Sequence, residues 1–137
     1  MIVPGKLPCV LIAEDEMIVA MMLEDLLERA GYRVLLVARL ERGLELAASE
    51  PIDAAILDIN LAGQMSFPLA DALQLRQIPF MFASGYGREG LSERHRDAMV
   101  LQKPYGMSEI KAALNLLLAS GSLAGSTFNA ALISLMP

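Results

Sequence analysis

Four short polar segments of the sequence each follow directly after an apolar run of strand type. In chain order they are Glu14-Asp15-Glu16, Asp58, Ser84 and Lys103-Pro104. Residues at the carboxyl ends of parallel strands meet at one edge of a sheet, so these side chains are expected to lie close together. Carboxylates, a hydroxyl group and an ammonium group at one edge suit a divalent metal and a phosphoryl group.

The elements that would position these segments alternate between strands and helices. Apolar runs predict strands at 9–13, 32–37, 52–57, 79–83 and 99–102. Periodicity and end signals predict helices at 16–30, 41–49, 67–76 and 107–118. The charged stretch 91–98 predicts only a weak helix. This alternation indicates one α/β domain built from βαβ units with right-handed crossovers.

The totals of the sequence limit the class of protein. Its 137 residues fit one domain, and a hydrophobic content of 55% is ample for a core. A net charge of -5 and only 5% aromatic residues argue against nucleic-acid binding. Cys9 is the only cysteine, which favours a reducing compartment. No stretch resembles a signal peptide or a membrane helix, so we expect a cytoplasmic protein that does not enter membranes.

Each acidic segment, taken alone, has a common structural explanation. The acids at 14–16 would be favourable at a helix N-terminus, and Asp58 is typical of a turn. In this type of fold, however, strands 1 and 3 are neighbours, and crowded carboxylates raise one another's pKa. A hard cation such as Mg²⁺ removes that conflict. Asp58 could also attack phosphorus to form an acyl phosphate, with Lys103 and Ser84 neutralising the phosphoryl oxygens.

In combination, these motifs resemble the receiver domain of two-component response regulators. The matching pieces are Glu14-Asp15, Leu57-Asp58-Ile59-Asn60, Ala83-Ser84-Gly85 and Lys103-Pro104. The resemblance covers about residues 6–119. It implies a flavodoxin-like (βα)5 fold, which is a three-layer sandwich around a five-stranded parallel sheet. The implied strand order is 2-1-3-4-5, as in the chemotaxis member of the family.

The resemblance also implies a phospho-acceptor and a metal site. Asp58 would accept a phosphoryl group from a histidine kinase or a phosphotransfer protein. Mg²⁺ would be ligated by Asp15, Asp58 and the backbone carbonyl of Asn60. Glu14 would hold a metal-bound water.

Two further residues would contact the phosphoryl group. Ser84 would reorient toward it and Lys103 would pair with it. The Lys103–Pro104 bond is often cis in the family. The chain would signal by binding a downstream protein target or by passing phosphate onward. It would not be an enzyme beyond self-catalysed phosphorylation and dephosphorylation.

One position departs from the family pattern. Receivers usually carry Tyr or Phe three residues before the lysine as a rotameric switch, whereas this chain has Val100. The segment Phe82-Ala83-Ser84-Gly85-Tyr86 instead resembles a subclass with a Phe-Ala-Thr-Gly signature, associated with alphaproteobacterial signalling. That subclass lacks the usual switch and has a reduced fourth helix. Tyr86 is therefore a candidate substitute switch, and a turn tyrosine packed on the surface is the other interpretation.

Other functions stay open from the sequence. The main alternative is a receiver-like protein-binding module that is not phosphorylated. A phosphohydrolase would carry its aspartyl nucleophile on strand 1 with a second acid two residues later, whereas here Asp58 is on strand 3 and Asn60 takes the second place. His95 lies in a charged segment, and we expect a solvated side chain rather than a phospho-relay histidine.

Two segments are expected along the chain. Residues 1–119 would form the receiver domain, and residues 120–137 an uncharged tail. No charged side chain follows Lys111, and Phe128, Leu132 and Leu135 recur at near-helical spacing. Because such a composition is unlike ordinary disorder, we expect the tail to pack on the domain or on a second subunit in a homodimer.

Overall fold

The five predicted strands form one parallel sheet. A computed structural model describes residues 7–119. The strands are β1 (Cys9–Ala13), β2 (Arg33–Val37), β3 (Ala54–Asp58), β4 (Phe80–Ser84) and β5 (Met99–Gln102). Their order across the sheet is β2-β1-β3-β4-β5, and every neighbouring pair is parallel. The predicted flavodoxin-like fold and its strand order are confirmed.

Helices fill most of the connections between the strands. They are α1 (Met17–Arg29), α2 (Leu40–Ser49), α3 (Phe67–Leu75) and α4 (Met107–Ala119). The connection from β4 to β5 has instead two 3₁₀ turns, Gly87–Gly90 and Glu93–His95. This agrees with the weak helix predicted at 91–98, because that stretch offers no continuous apolar stripe to hold a helix on the sheet.

A short antiparallel hairpin follows β3. It pairs Asn60–Leu61 with Gln64–Met65. Its turn has positive φ angles of 51° at Ala62 and 89° at Gly63. Gly63 adopts such an angle without a steric penalty because it has no Cβ. The hairpin gives a defined backbone to the residues directly after Asp58.

Apolar side chains cover both faces of the sheet. Alternate strand residues such as Leu11 and Leu57 belong to a core shared with α2 and α3. The intervening residues, such as Ile12 and Ile56, belong to a core shared with α1 and α4. The continuous apolar runs of the sequence therefore correspond to strands buried on both sides, as expected for a parallel sheet between two helix layers.

Two expectations concern membranes and the tail. Across residues 7–119, no helix has both the length and the apolar character needed to cross a bilayer. The segment 120–137, for which packing or dimerisation is predicted, lies outside the described residues.

Candidate functional site

The polar segments converge at one end of the sheet. Glu14 follows β1, Asp58 ends β3, Ser84 ends β4 and Lys103 follows β5. Because these four strands are consecutive neighbours, their carboxyl ends bring the four residues together. The open cleft at this end has a volume of about 500 Å³, and its walls include Asp15, Asp58, Ser84 and Lys103.

Lys103 is the centre of the charge network in this cleft. Its Nζ forms an ion pair with Asp58 Oδ1 at 2.7 Å and donates a hydrogen bond to Glu14 Oε1 at 3.2 Å. Its backbone N–H donates to the Ser84 carbonyl oxygen at 2.8 Å, and the Lys103–Pro104 peptide is cis. Glu14 and Asp58 are only 3% and 7% exposed. The single ammonium group therefore compensates two buried carboxylates, which would otherwise be costly to desolvate.

The pKa values of the three groups follow from this burial. Burial, and then the hydrogen bond with Glu14, raises the pKa of Asp58 to about 7. Burial also acts to raise the pKa of Glu14, but hydrogen bonds from Asp58 and from a backbone amide, together with the Lys103 charge, hold it below its ordinary value. Burial acts to lower the pKa of Lys103, but its bond to Asp58 and the two carboxylate charges hold it above its ordinary value.

This crowding predicts a pH dependence of stability in the metal-free protein. A carboxyl group whose pKa is higher in the folded than in the unfolded protein stabilises the fold at low pH. For Asp58 this contribution is complete below the unfolded pKa of 3.8, and it is lost as the pH rises through the folded pKa of about 7. The contribution of Glu14, whose pKa is lowered, changes only below its ordinary value of 4.5. In chelator, the free energy of unfolding should fall between about pH 5 and about pH 7, and Asp58→Asn should flatten that fall. Urea unfolding of both proteins checks this, and parallel curves would contradict it.

The acidic residues form a donor set that fits a divalent cation. Carboxylate oxygens of Glu14, Asp15 and Asp58 all lie within 4.8 Å of one another. The Ala62 N–H donates to Asp15 Oδ2 at 3.1 Å, so the hairpin after β3 orients this exposed carboxylate. The backbone of Asn60 enters the same hairpin two residues after Asp58. Mg²⁺ prefers such hard oxygen ligands, and a cation here would relieve the repulsion between the carboxylates.

Ser84 and Tyr86 are linked through the backbone of the β4–β5 connection. Ser84 is 6% exposed, and its Oγ accepts a hydrogen bond from the Tyr86 N–H at 3.0 Å. Tyr86 itself is 81% exposed. Val100, where the family usually has an aromatic switch, packs partly buried against the core shared with α2 and α3. The exposure of Tyr86 agrees with a turn tyrosine at the surface, and its role as a switch stays a prediction.

The prediction of a solvated His95 is wrong. The residue is 3% exposed, and its ring stacks on Phe67 with the ring centroids 5.2 Å apart. Nε2 lies 2.8 Å from Asp71 Oδ1, and Nδ1 lies 2.7 Å from Ser92 Oγ. No local signal indicated this burial, because Arg94 and Arg96 flank the histidine and its aromatic contacts come from residues distant in sequence.

The fold and the site define a class of protein. Residues 10–115 match the family model of the response regulator receiver domain, and the chain belongs to this family. It is therefore homologous to the receiver domains of two-component response regulators, as the motifs predicted.

The curated relatives are regulators. The chain is 30% identical over 112 residues to the transcriptional regulatory protein PdtaR of Mycobacterium tuberculosis, which covers 78% of this chain and 55% of that protein. It is 32% identical over 111 residues to the phyllosphere-induced regulator PhyR of Methylorubrum extorquens, and this match covers 77% of this chain and 42% of PhyR. The chain spans about half the length of these curated relatives.

Solved structures agree with the family assignment. The solution structure of SdrG from Sphingomonas melonis Fr1 is 45% identical, with a TM-score of 0.71 and coverage of 82% of this chain and 97% of that chain. A receiver domain of the sensor histidine kinase PA1611 from Pseudomonas aeruginosa has a magnesium ion in its active-site cleft. It covers 84% of this chain and 100% of that chain with a TM-score of 0.70, but at 22% identity this similarity shows the fold alone.

Proposed function

We propose that Asp58 accepts a phosphoryl group from a histidine kinase or a phosphotransfer protein, in a reaction that depends on Mg²⁺. The observation that carries this proposal is the carboxylate of Asp58 at an open cleft, with Lys103 Nζ 2.7 Å from its Oδ1. The similarity to SdrG in its BeF3-activated conformation supports the proposal. That structure is 43% identical, with a TM-score of 0.69 and coverage of 83% of this chain and 98% of the SdrG chain.

The transfer requires few chemical groups besides the acceptor. A carboxylate oxygen of Asp58 attacks the phosphorus of the donor, and an O–P bond forms while the P–N bond to the donor histidine breaks. The electron pair of the broken bond stays on the departing imidazole nitrogen. Lys103 then pairs with a phosphoryl oxygen, and the Ser84 hydroxyl donates to another. These contacts neutralise the charge on the new acyl phosphate and hold it in place.

The acidic cluster would hold the cation. Asp15, Asp58 and the backbone carbonyl of Asn60 would be direct ligands, and Glu14 would contact the cation through a water molecule. Bound Mg²⁺ supplies positive charge to the phosphoryl oxygens. This proposal is supported by the convergence of the three carboxylates and by the raised pKa of Asp58.

Phosphoryl uptake from a small acyl phosphate tests the proposed function. The intact mass of the wild-type chain is expected to increase by one phosphoryl group in Mg²⁺, and chelator should prevent the increase. An unchanged mass, with Mg²⁺ binding still detected, would favour the alternative of an unphosphorylated protein-binding module.

We further propose that the phosphorylated chain signals through proteins. Receiver domains are signalling modules, and this chain would act by binding a downstream protein or by passing the phosphoryl group onward. Its own chemistry would be limited to self-catalysed phosphorylation and dephosphorylation.

The extent of the domain and the role of the tail are also proposals. Residues 1–119 would form the receiver unit, which the match over 10–115 supports. Residues 120–137 would pack on that unit or on a second subunit. A chain truncated at Ser120 should then lose solubility or change its oligomeric mass by light scattering, and identical behaviour of the two chains would refute the packing role.

A further inference from the structure

The connection between β4 and β5 spans residues 85–98, and the first half of this connection borders the site. Gly85, Tyr86 and Gly90 line the cleft that contains Asp58. A Cβ on Gly90 would lie 3.3 Å from the side chain of Ile59, so the backbone packs closely beside the residue after Asp58. The Tyr86 N–H depends on Ser84 Oγ as its acceptor at 3.0 Å. Any rotation of the Ser84 hydroxyl toward a phosphoryl group would remove that acceptor.

The second half of the connection is fixed by the buried ring of His95. The ring stacks on Phe67 of α3 with an interplanar angle of 15°. It meets the ring of Phe82 of β4 edge to face, with centroids 5.7 Å apart. Phe82 precedes Ser84 by two residues, so His95 packs on the same strand that carries the hydroxyl of the site.

Both nitrogens of this ring have polar partners. Nε2 lies 2.8 Å from Asp71 Oδ1, which assigns the proton to Nε2 as the donor. The Ser92 hydroxyl then donates to Nδ1 at 2.7 Å. Asp71 also accepts bidentate hydrogen bonds from the exposed guanidinium of Arg94. A buried ring with both nitrogens bonded and one face stacked has a single favourable orientation.

We propose that His95 is a positioning residue that anchors the distal half of the β4–β5 connection to α3. Movement that begins at Ser84 is thereby confined to residues 85–91, where three glycines allow the backbone to change, while 92–98 stays docked. The surface around Tyr86 then changes with phosphorylation and the surface around Arg94 does not. The consequence of this anchor for signalling rests on the proposed function, because it requires phosphorylation of Asp58.

Hydrogen exchange tests the anchor without requiring phosphorylation. Ser84→Ala removes the acceptor of the Tyr86 N–H, and amide exchange is expected to rise roughly tenfold across 86–91, as for the loss of one buried hydrogen bond. Exchange across 93–98 should stay unchanged. Adding His95→Phe, which keeps the ring stack but lacks the bond to Asp71, should raise exchange across 93–98 by a similar factor. Core amides of β1 and β3 report any general loss of stability.

Two further variants separate the anchor from a merely structural role. His95→Gln, added to Ser84→Ala, retains a donor for Asp71. Amides 93–98 should then be protected from exchange much better than in the double variant with His95→Phe. Arg94→Gln removes only the exposed ion pair and should leave that protection intact, since such pairs contribute little. Exchange that spreads to 98 with Ser84→Ala alone, or protection of 93–98 that survives His95→Phe, would overturn the proposal. A second arm repeats the measurement on chains that have gained a phosphoryl group by mass, so a failure of the proposed function would be recognised separately.

Discussion

Replacing Asp58 with Asn is expected to abolish phosphoryl uptake from a small acyl phosphate in Mg²⁺. An amide does not attack phosphorus to form an acyl phosphate, and among the carboxylates of the described residues only Asp58 both contacts Lys103 and lines the cleft. Asn has the same shape as Asp and removes the repulsion with Glu14, so the fold should be retained. Intact mass after incubation with the donor measures the uptake directly.

A matched control for this variant is Asp97→Asn. Asp97 is exposed and lies just before the amino end of β5, the opposite end of that strand from Lys103. This control should take up one phosphoryl group as the wild type does. Uptake by the Asp58→Asn chain at the wild-type level would contradict the assignment of the acceptor.

The second large effect is expected for Lys103→Met. Methionine fills the space of the lysine stem but leaves Glu14 and Asp58 without the ammonium that contacts both. Removing one partner of a largely buried ion pair is costly, and we expect the free energy of unfolding in chelator to fall by about 2–4 kcal/mol. Saturating Mg²⁺ should restore part of this loss, because the cation replaces the missing charge beside the carboxylates.

Urea unfolding in chelator and in saturating Mg²⁺ measures both parts of this prediction. Lys111→Met is the matched control, since Lys111 is exposed on α4, and it should change stability little in either condition. A loss for Lys103→Met that is the same with and without Mg²⁺ would show that the cation does not share the carboxylates with the lysine.

The sheet and the position of the site were predictable because their signals are local. Strands buried on both faces appear as continuous apolar runs, and the residue that ends each run is placed at the carboxyl edge. Asp58 and Ser84 are the last residues of β3 and β4, so their convergence follows once the strands are parallel neighbours. The strand order itself was taken from the family resemblance, because no local signal determines which strands pair.

The burial of His95 and the hairpin after β3 were not predicted, because tertiary contacts decide both. His95 is flanked by Arg94 and Arg96, and the rings of Phe67, Phe80 and Phe82, distant in sequence, form its apolar surroundings. The turn of the hairpin contacts a distant residue, because the Ala62 amide donates to Asp15, which lies 47 residues earlier. Neither contact leaves a periodic pattern in the sequence around it.

Locating the phosphoryl group in the wild-type chain tests most directly whether Asp58 is the acceptor. Reduction of the phosphorylated protein with borohydride converts an aspartyl phosphate to homoserine, and peptide mass mapping then identifies the residue. We expect conversion at Asp58 alone, and only in samples that contained Mg²⁺. A phosphoryl group mapped to His95, to Ser84 or to another aspartate, with Asp58 unmodified, would contradict it.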